Sequence, residues 1–449
     1  MKQVQRVLAR YSSDLFGMCS SLYELGGLCV MHDASGCNST YDTHDEPRWF
    51  DIDSMIYISA LTESDAVMGN DEKLIDEITE VAETEHPEFI AIGGSPIPMM
   101  MGTDFEGIAR VIEKRTGIPA FGIRSSGMRS YEAGAGQALA CLVDAFCLKA
   151  VSPEQASVSA AERRSVQGVR NVRINILGVT PLDFSVTGNA EGLVQFFEQN
   201  GCTVVSSWAM NNTLEQISEA GTADVNIVVS ASGLLPAEKL HDVYGTPYVT
   251  GLPMGRTPSE KLLNRIYEAA GAEKLREWNT DVHAEPAAQY RAAAGGIPLL
   301  DDACLPTEEW KSFHRNKACG CIRKFESPFQ TIRPVLASDP GQLVYIIGEP
   351  VFTASLRACL EQDYGARNVR IICPLEETCG VLRECDLHTD EEDDFAAAAE
   401  IADVIIADPI FRRILPRGKS VQFVDFPHEA YSGRLYRSGI PMFIGSRML

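Results

Sequence analysis

Long hydrophobic runs are missing from this 449-residue sequence: none reaches the ~18 apolar residues that a membrane span requires. The opening stretch, MKQVQRVLARYSSDLFG, mixes apolar and polar residues and has no uninterrupted apolar core of the kind a secretory signal carries. A cytoplasmic protein with no membrane partner is therefore expected. Positive charge is scarce, with 39 Lys and Arg against 62 Asp and Glu and a net charge of −23. Such a chain lacks the cationic footprint that nucleic acid or anionic lipid demands, so no nucleic-acid partner is expected. Phosphate cradles are also missing. There is no G-x-x-x-x-G-K-[ST], and no G-x-G-x-x-G joins a strand to a helix. The glycine-rich piece Ala133–Gly136 lies in a helical pattern without an acidic ribose partner, so no nucleotide is expected. The H-E-x-x-H and G-x-S-x-G signatures are absent as well.

What remains is ordinary globular composition, 45% hydrophobic and 22% charged, in a chain long enough for about three domains. Short apolar runs alternate with helical patterns in three blocks. Candidate strands in the first are Leu28–His32, Met55–Ser59, Phe89–Gly93 and Pro119–Ile123, with helices near 72–83, 104–115 and 132–150. The second carries Arg173–Val179, Thr203–Ser206, Val225–Ser230 and Pro247–Thr250. The third carries Leu343–Gly348, Val369–Ile372, Val404–Ala407, Val421–Val424 and Pro441–Ile444. Strands that are apolar on both faces, alternating with helices, indicate doubly wound parallel sheets. The expected fold is α/β, with three Rossmann-like domains over 1–165, 166–335 and 336–449. Thr103 and Glu106 form a capping-box pattern that starts the helix near 104. The acidic run Thr389–Asp394 reads as a solvated loop or helix start. Clefts at the carboxyl ends of the strands are the expected ligand sites.

Thirteen cysteines are many for a reducing compartment, where disulfides are disfavoured. Most read as small buried apolar residues. Residues 16–50 are different. Cys19 sits at a helix, Cys29 in a strand, and Cys37 in a glycine-flanked turn at that strand's carboxyl end, among His32, Asp33, Asp42, His44, Asp45, Glu46 and Arg48. Backbone N–H groups in such a turn stabilise thiolate charge on a metal centre. Cys319-Gly320-Cys321, flanked by Lys317 and Arg323, is either a simple turn or a metal or redox pair. Cys141 and Cys147 read as core. Cys373, Cys379 and Cys385 lack the compact spacing of zinc or ferredoxin ligands. His428 and Glu429, beside Tyr431 and Arg434, are either an acid/base set or a hydrogen-bonded turn.

The order of these pieces is similar to one family. The strand ending in His32-Asp33-Ala34-Ser35-Gly36-Cys37, the segment Leu61–Leu74, and Ile92-Gly93-Gly94-Ser95-Pro96-Ile97-Pro98 before Gly102-Thr103-Asp104 resemble the nitrogenase component 1 family, with Pro427–Gly433 like its Y-S-G segment. That family includes nitrogenase catalytic subunits, their cofactor-assembly scaffold, dark protochlorophyllide and chlorophyllide reductases, and the nickel-sirohydrochlorin reductive cyclase. The resemblance implies a dimer, either a homodimer or a heterodimer with a paralogous subunit. It implies an interfacial iron–sulfur cluster and electrons delivered by an ATP-dependent iron protein. Cys37 matches the central cluster cysteine and Cys19 the upstream one, at a shorter separation than usual. Cys29 is a secondary candidate, and the family's third cysteine falls at Ser95, another secondary candidate. Two thiolates from each of two chains suit one 4Fe–4S cluster. No cysteine lies in Thr250–Arg256, where the cofactor cysteine would fall, and His428 is offset by about one residue, so no FeMo-type cofactor and no dinitrogen reduction are expected. The resemblance thus implies an oxidoreductase component that reduces a small molecule or tetrapyrrole, with His428, Glu429, His32 and Asp33 as candidate catalytic groups. Two alternatives stand beside it: a non-catalytic scaffold for metallocofactor or tetrapyrrole assembly, and a metal-free small-molecule-binding protein.

Overall fold

A computed structural model describes residues 7, 12–36, 46–49, 51–156, 158, 171–273, 278–285, 287, 289, 328–418 and 420–445. Three separate parallel sheets organise them, as the apolar runs predict. The first has strand order β2-β1-β3-β4, with β1 Leu28–His32, β2 Met55–Ile58, β3 Ile90–Gly94 and β4 Ala120–Gly122. The second has order β6-β5-β7-β8, with β5 Val172–Leu177, β6 Cys202–Ser207, β7 Val225–Val228 and β8 Tyr248–Thr250. The third has order β11-β10-β9-β12-β13, with β9 Leu343–Ile347, β10 Asn368–Cys373, β11 Leu387–His388, β12 Val404–Ala407 and β13 Gln422–Asp425. In each sheet the first strand is central, so the winding direction reverses beside it. These switch points, between β1 and β3, β5 and β7, and β9 and β12, open crevices at the strands' carboxyl ends.

Helix 71–85 shows how the sequence sets the layers. Leu74, Ile75, Ile78 and Ala82 form its buried stripe against the first sheet, Asn70 caps its start, and His86 ends it in the left-handed region at φ 52°. Glycine sets a closer contact between helices Asp14–Leu22 and Tyr131–Leu142. A Cβ on Gly17 would lie 1.9 Å from the Tyr131 carbonyl oxygen, and one on Gly134 would lie 1.8 Å from that of Asp14. The glycine-rich piece Ala133–Gly136 is thus a helix-crossing surface. With its π-helical continuation, helix 131–150 is long and apolar enough to cross a membrane by length and composition, unlike the expectation above. Here its Ala135, Ala138, Leu139, Leu142, Val143 and Cys147 are buried in the core.

The hydrophobic cores cross the sequence blocks. One joins Leu15, Met18, Cys19 and Cys29 to Leu177, Trp208, Val228 and Leu240. Another joins Val172, Ile174 and Phe196 to Val344, Ile346, Phe352 and Leu356. The expected boundary at 335 falls within helix Pro328–Ser338, whose Phe329, Ile332 and Leu336 belong to that second shared core.

Two local expectations are corrected. The cap near 104 is Asp104, whose Oδ1 accepts from the Gly107 N–H at 3.0 Å, while Thr103 Oγ1 has no hydrogen-bond partner and Glu106 pairs with Arg124. A carboxylate one residue nearer the helix displaces the weaker hydroxyl cap. Pro441–Ile444 is not a strand. Phe443 and Ile444 bury themselves against helix Asn189–Gln199, with the Phe443 N–H donated to Asn189 Oδ1 at 2.9 Å and a single bridge pairing Met254 with Gly445. The acidic run does start a helix, Glu392–Ile401, with its acids at the favourable N-terminus.

Candidate functional site at the sheet junctions

The expected site residues fall at two places. At the first sheet's switch point, β1 and β3 pair with His32 opposite Gly94, which brings His32, Asp33 and Ser95 together. All three are buried. His32 Nδ1 lies 2.8 Å from Ser59 Oγ, and burial pulls its pKa down against the opposing pull of Asp71, Asp33 and Asp65. Ser95 caps helix Pro96–Met101. Cys37 lies outside the described residues, five positions beyond the end of β1. Cys319 and Cys321 also lie outside them. Cys19 sits on the buried stripe Leu15-Met18-Cys19-Leu22 and Cys29 in the middle of β1, each with no exposed surface. Their thiols are enclosed by their own chain, so the structure does not bring either to a surface. Among the described residues, no three His, Cys, Asp or Glu side chains are placed to hold a metal ion.

This switch point has an uncovered apolar surround. Helices Glu63–Met68 and Pro96–Met101 follow β2 and β3 and touch each other. They expose Val67, Met68 (80%), Ile97, Met99 and Met100 (83%). Contiguous exposed apolar side chains of this kind mark interaction surfaces.

The second place is the junction of the second and third sheets, roofed by helix Tyr131–Leu142. Its carboxylates each follow an apolar strand. Asp183 follows β5 and accepts from Thr180 Oγ1 at 2.6 Å and from the Tyr131 hydroxyl. Glu349 follows β9 and caps helix Pro350–Asp363, accepting from Phe352 N at 2.6 Å and, across the junction, from Ala231 N at 2.8 Å. Asp408 follows β12 and accepts from His428 N at 2.9 Å and Ser432 Oγ at 2.5 Å. Glu132 adds a fourth, accepting from Ser130 Oγ and from Glu376 N. Burial pushes Asp183 and Asp408 up to about 6. Burial, reinforced by the neighbouring Asp183, pushes Glu349 up to about 8.

His428 is at this junction, with Nε2 3.9 Å from Asp183 Oδ1. Its Nδ1 accepts the Ala430 N–H at 3.3 Å, so the neutral ring carries its proton on Nε2, and burial pushes its pKa down to about 3. Glu429 is held by the Arg437 guanidinium at 2.7 Å and by Ser185 Oγ at 2.6 Å. Its two oxygens thus tie Ser185, beyond the second sheet's β5, to Arg437, beyond the third sheet's β13. The structure thus brings His428 and Glu429 together with Asp183, Glu349, Asp408, Tyr131 and Glu132, all of which sequence reasoning missed. A signal was available: Gly348-Glu349-Pro350 and Ala407-Asp408-Pro409 each place an acid between an apolar strand and a helix-starting proline.

An α/β protein of three parallel sheets, with polar groups gathered at their switch points, is the class this geometry defines. Residues 26–295, more than half of the chain, match the family model "Nitrogenase component 1 type Oxidoreductase", and the chain belongs to that family. The chain is 27% identical over 231 residues to the nitrogenase molybdenum-iron protein alpha chain of Methanosarcina barkeri, covering 51% of this chain and 40% of that one. It is also 27% identical over 218 residues to the nitrogenase iron-molybdenum cofactor biosynthesis protein NifE of the same organism, covering 48% and 45%. The chain therefore spans under half the length of the curated relatives it matches. The solved structure "Nitrogenase Cp1 at pH 6.5" shares the fold, with a TM-score of 0.62 over 99% of this chain and 91% of that one at 15% identity.

Proposed function

We propose that the chain is the substrate-binding component of a nitrogenase-like oxidoreductase. In this reading, Cys37 holds an iron–sulfur cluster at the first sheet's switch point, shared with a second subunit, and the junction of the second and third sheets holds the molecule that is reduced. The observation that carries the reading is the thioether-rich surface formed by Val67, Met68, Ile97, Met99 and Met100 beside the end of β1. It offers a second subunit an apolar seat beside the end of β1. Buried His32, Asp33 and Ser95 form the polar floor of that region. Cys19 joins the ligand set only if helix Asp14–Leu22 shifts out of its core, and Cys29 and Ser95 are secondary to Cys37. The cluster, when bound, supplies single-electron transfer. The chain has no nucleotide cradle, so an ATP-dependent iron protein is the proposed electron donor. The proposed location is the cytoplasm, and the proposed domains are those centred on the three sheets.

A FeMo-type cofactor does not fit. The nitrogen of His428 that faces the junction carries a proton, its other lone pair is spent on Ala430, and Thr250–Arg256 supplies no thiolate. A second reading, a scaffold for cofactor or tetrapyrrole assembly, is favoured by the likeness to proteins named for cofactor biosynthesis.

The test is iron and acid-labile sulfide content, with molar mass by light scattering, on anaerobically purified protein. About four irons per dimer, lost in Cys37→Ala, supports the cluster. Loss of the dimer in Met68→Asp/Met100→Asp supports the interface. Iron-free monomer in every preparation overturns the reading. Electron-dependent turnover with an iron protein then separates the oxidoreductase from the scaffold.

A further inference from the structure

At the third sheet's switch point the carboxyl ends of β9, β12 and β13 enclose a recess lined by Gly348, Phe352, Asp408, Phe426, His428 and Tyr431. Its volume is about 10 Å³, room for one water-sized group. We propose that this recess binds a primary ammonium group, either ammonium itself or the head of a small amine. The proposal rests on the junction's being the ligand site, and it names the group by which a ligand is held there, not the atom that accepts electrons.

Three independent features agree on a cation that donates hydrogen bonds. The walls are aromatic. Phe352 and Phe426 meet edge to face with centroids 4.8 Å apart, and Tyr431 lies 4.8 Å from the His428 ring. Aromatic faces attract ammonium groups through their quadrupoles. The charge is anionic and uncompensated. Asp408 is buried and held by neutral donors alone, from Ile410, His428 and Ser432. The nearby cations are committed elsewhere: Arg412 to Asp425, Arg437 to Glu429 and Arg129 to Glu376. Among the described residues, an anionic ligand would meet these carboxylates and no buried cation that is not already ion-paired.

An acceptor also stands unused. The Tyr431 hydroxyl, on a residue only 4% exposed, has no hydrogen-bond partner. Tyr431 is itself one of the residues that line the recess. Buried polar atoms without partners are rare, and a bound donor would satisfy this one. An ammonium group is about the size of a water molecule and carries three or four N–H donors.

The experiment is equilibrium dialysis of radiolabelled methylammonium against the anaerobically purified full chain, with thermal shift in ammonium chloride at constant ionic strength. Saturable one-to-one binding, and a melting temperature raised by ammonium and methylammonium but not by potassium, tetramethylammonium or sulfate, is expected. Tyr431→Phe should weaken binding at least about tenfold, the loss of one hydrogen bond to a charged group, and Asp408→Asn should abolish it. Tyr431→Phe removes an unpaired oxygen, so it keeps the test valid if Asp408→Asn fails to fold. Equal stabilisation by potassium, binding of sulfate, no saturable binding, or undiminished binding in Tyr431→Phe each overturns the proposal. Iron content and dimer mass are read at the Cys37 face, so their loss with methylammonium binding intact would sink the cluster reading alone.

Discussion

Glu349→Gln tests the electrostatics of the junction. Glu349 is buried, accepts two backbone N–H groups, and titrates near 8 against an ordinary value of 4.5. Between those limits the native chain holds a proton that the unfolded chain has released. Native stability must then fall as pH rises through the window, by about 1.4 kcal/mol per pH unit for one proton. Over the whole window the loss is on the order of 5 kcal/mol. The glutamine stays neutral throughout and escapes this loss. It has one oxygen for two backbone donors, so it forfeits a hydrogen bond at every pH, costing about 1–2 kcal/mol. The variant should therefore be less stable than wild type at pH 5 and more stable at pH 9. Urea denaturation followed by tryptophan fluorescence across pH 5–9 measures both curves, and changes common to both chains cancel in their difference. A wild-type-minus-variant difference that does not move with pH would refute the raised titration of Glu349.

Other perturbations have equally definite outcomes. Gly134→Ala drives a methyl group into the Asp14 carbonyl, and because backbone cannot yield as a side chain does, stability should drop by about 2 kcal/mol or more in thermal melts. Arg48→Ala strands Glu46, which is fully buried and ion-paired at 2.7 Å, and should cost about 3–5 kcal/mol in denaturant unfolding. Fragment 336–449 expressed alone should give an amide spectrum without native dispersion, because Val344, Ile346, Phe352 and Leu356 lose their partners in the second block.

Much of the architecture was legible in order along the chain. Runs such as Leu28–His32 and Val404–Ala407 are apolar on both faces, and only a covered parallel strand buries both. The family was legible because its short motifs keep their sequence order. The caps were less so, since Thr103 and Asp104 compete for the same N–H groups and only geometry chooses between them. Pro441–Ile444 has the composition of a strand, yet its apolar side chains find their partners in a helix face and an aromatic cluster.

The sequence by itself determined three parallel sheets, the acidic balance of charge and the lack of a phosphate-binding motif. Each depends on local periodicity or on the identity of neighbouring residues. Tertiary structure alone decided that Cys19 faces inward, that Glu429 is a clamp, and that Tyr131, Asp183, Glu349 and Asp408 converge on one junction. The Ala231 N–H and Glu349 carboxylate meet across 118 residues, and Tyr131 and Asp183 across 52. No spacing rule encodes such pairs, because they arise where separately wound sheets bring the carboxyl ends of their strands together in space.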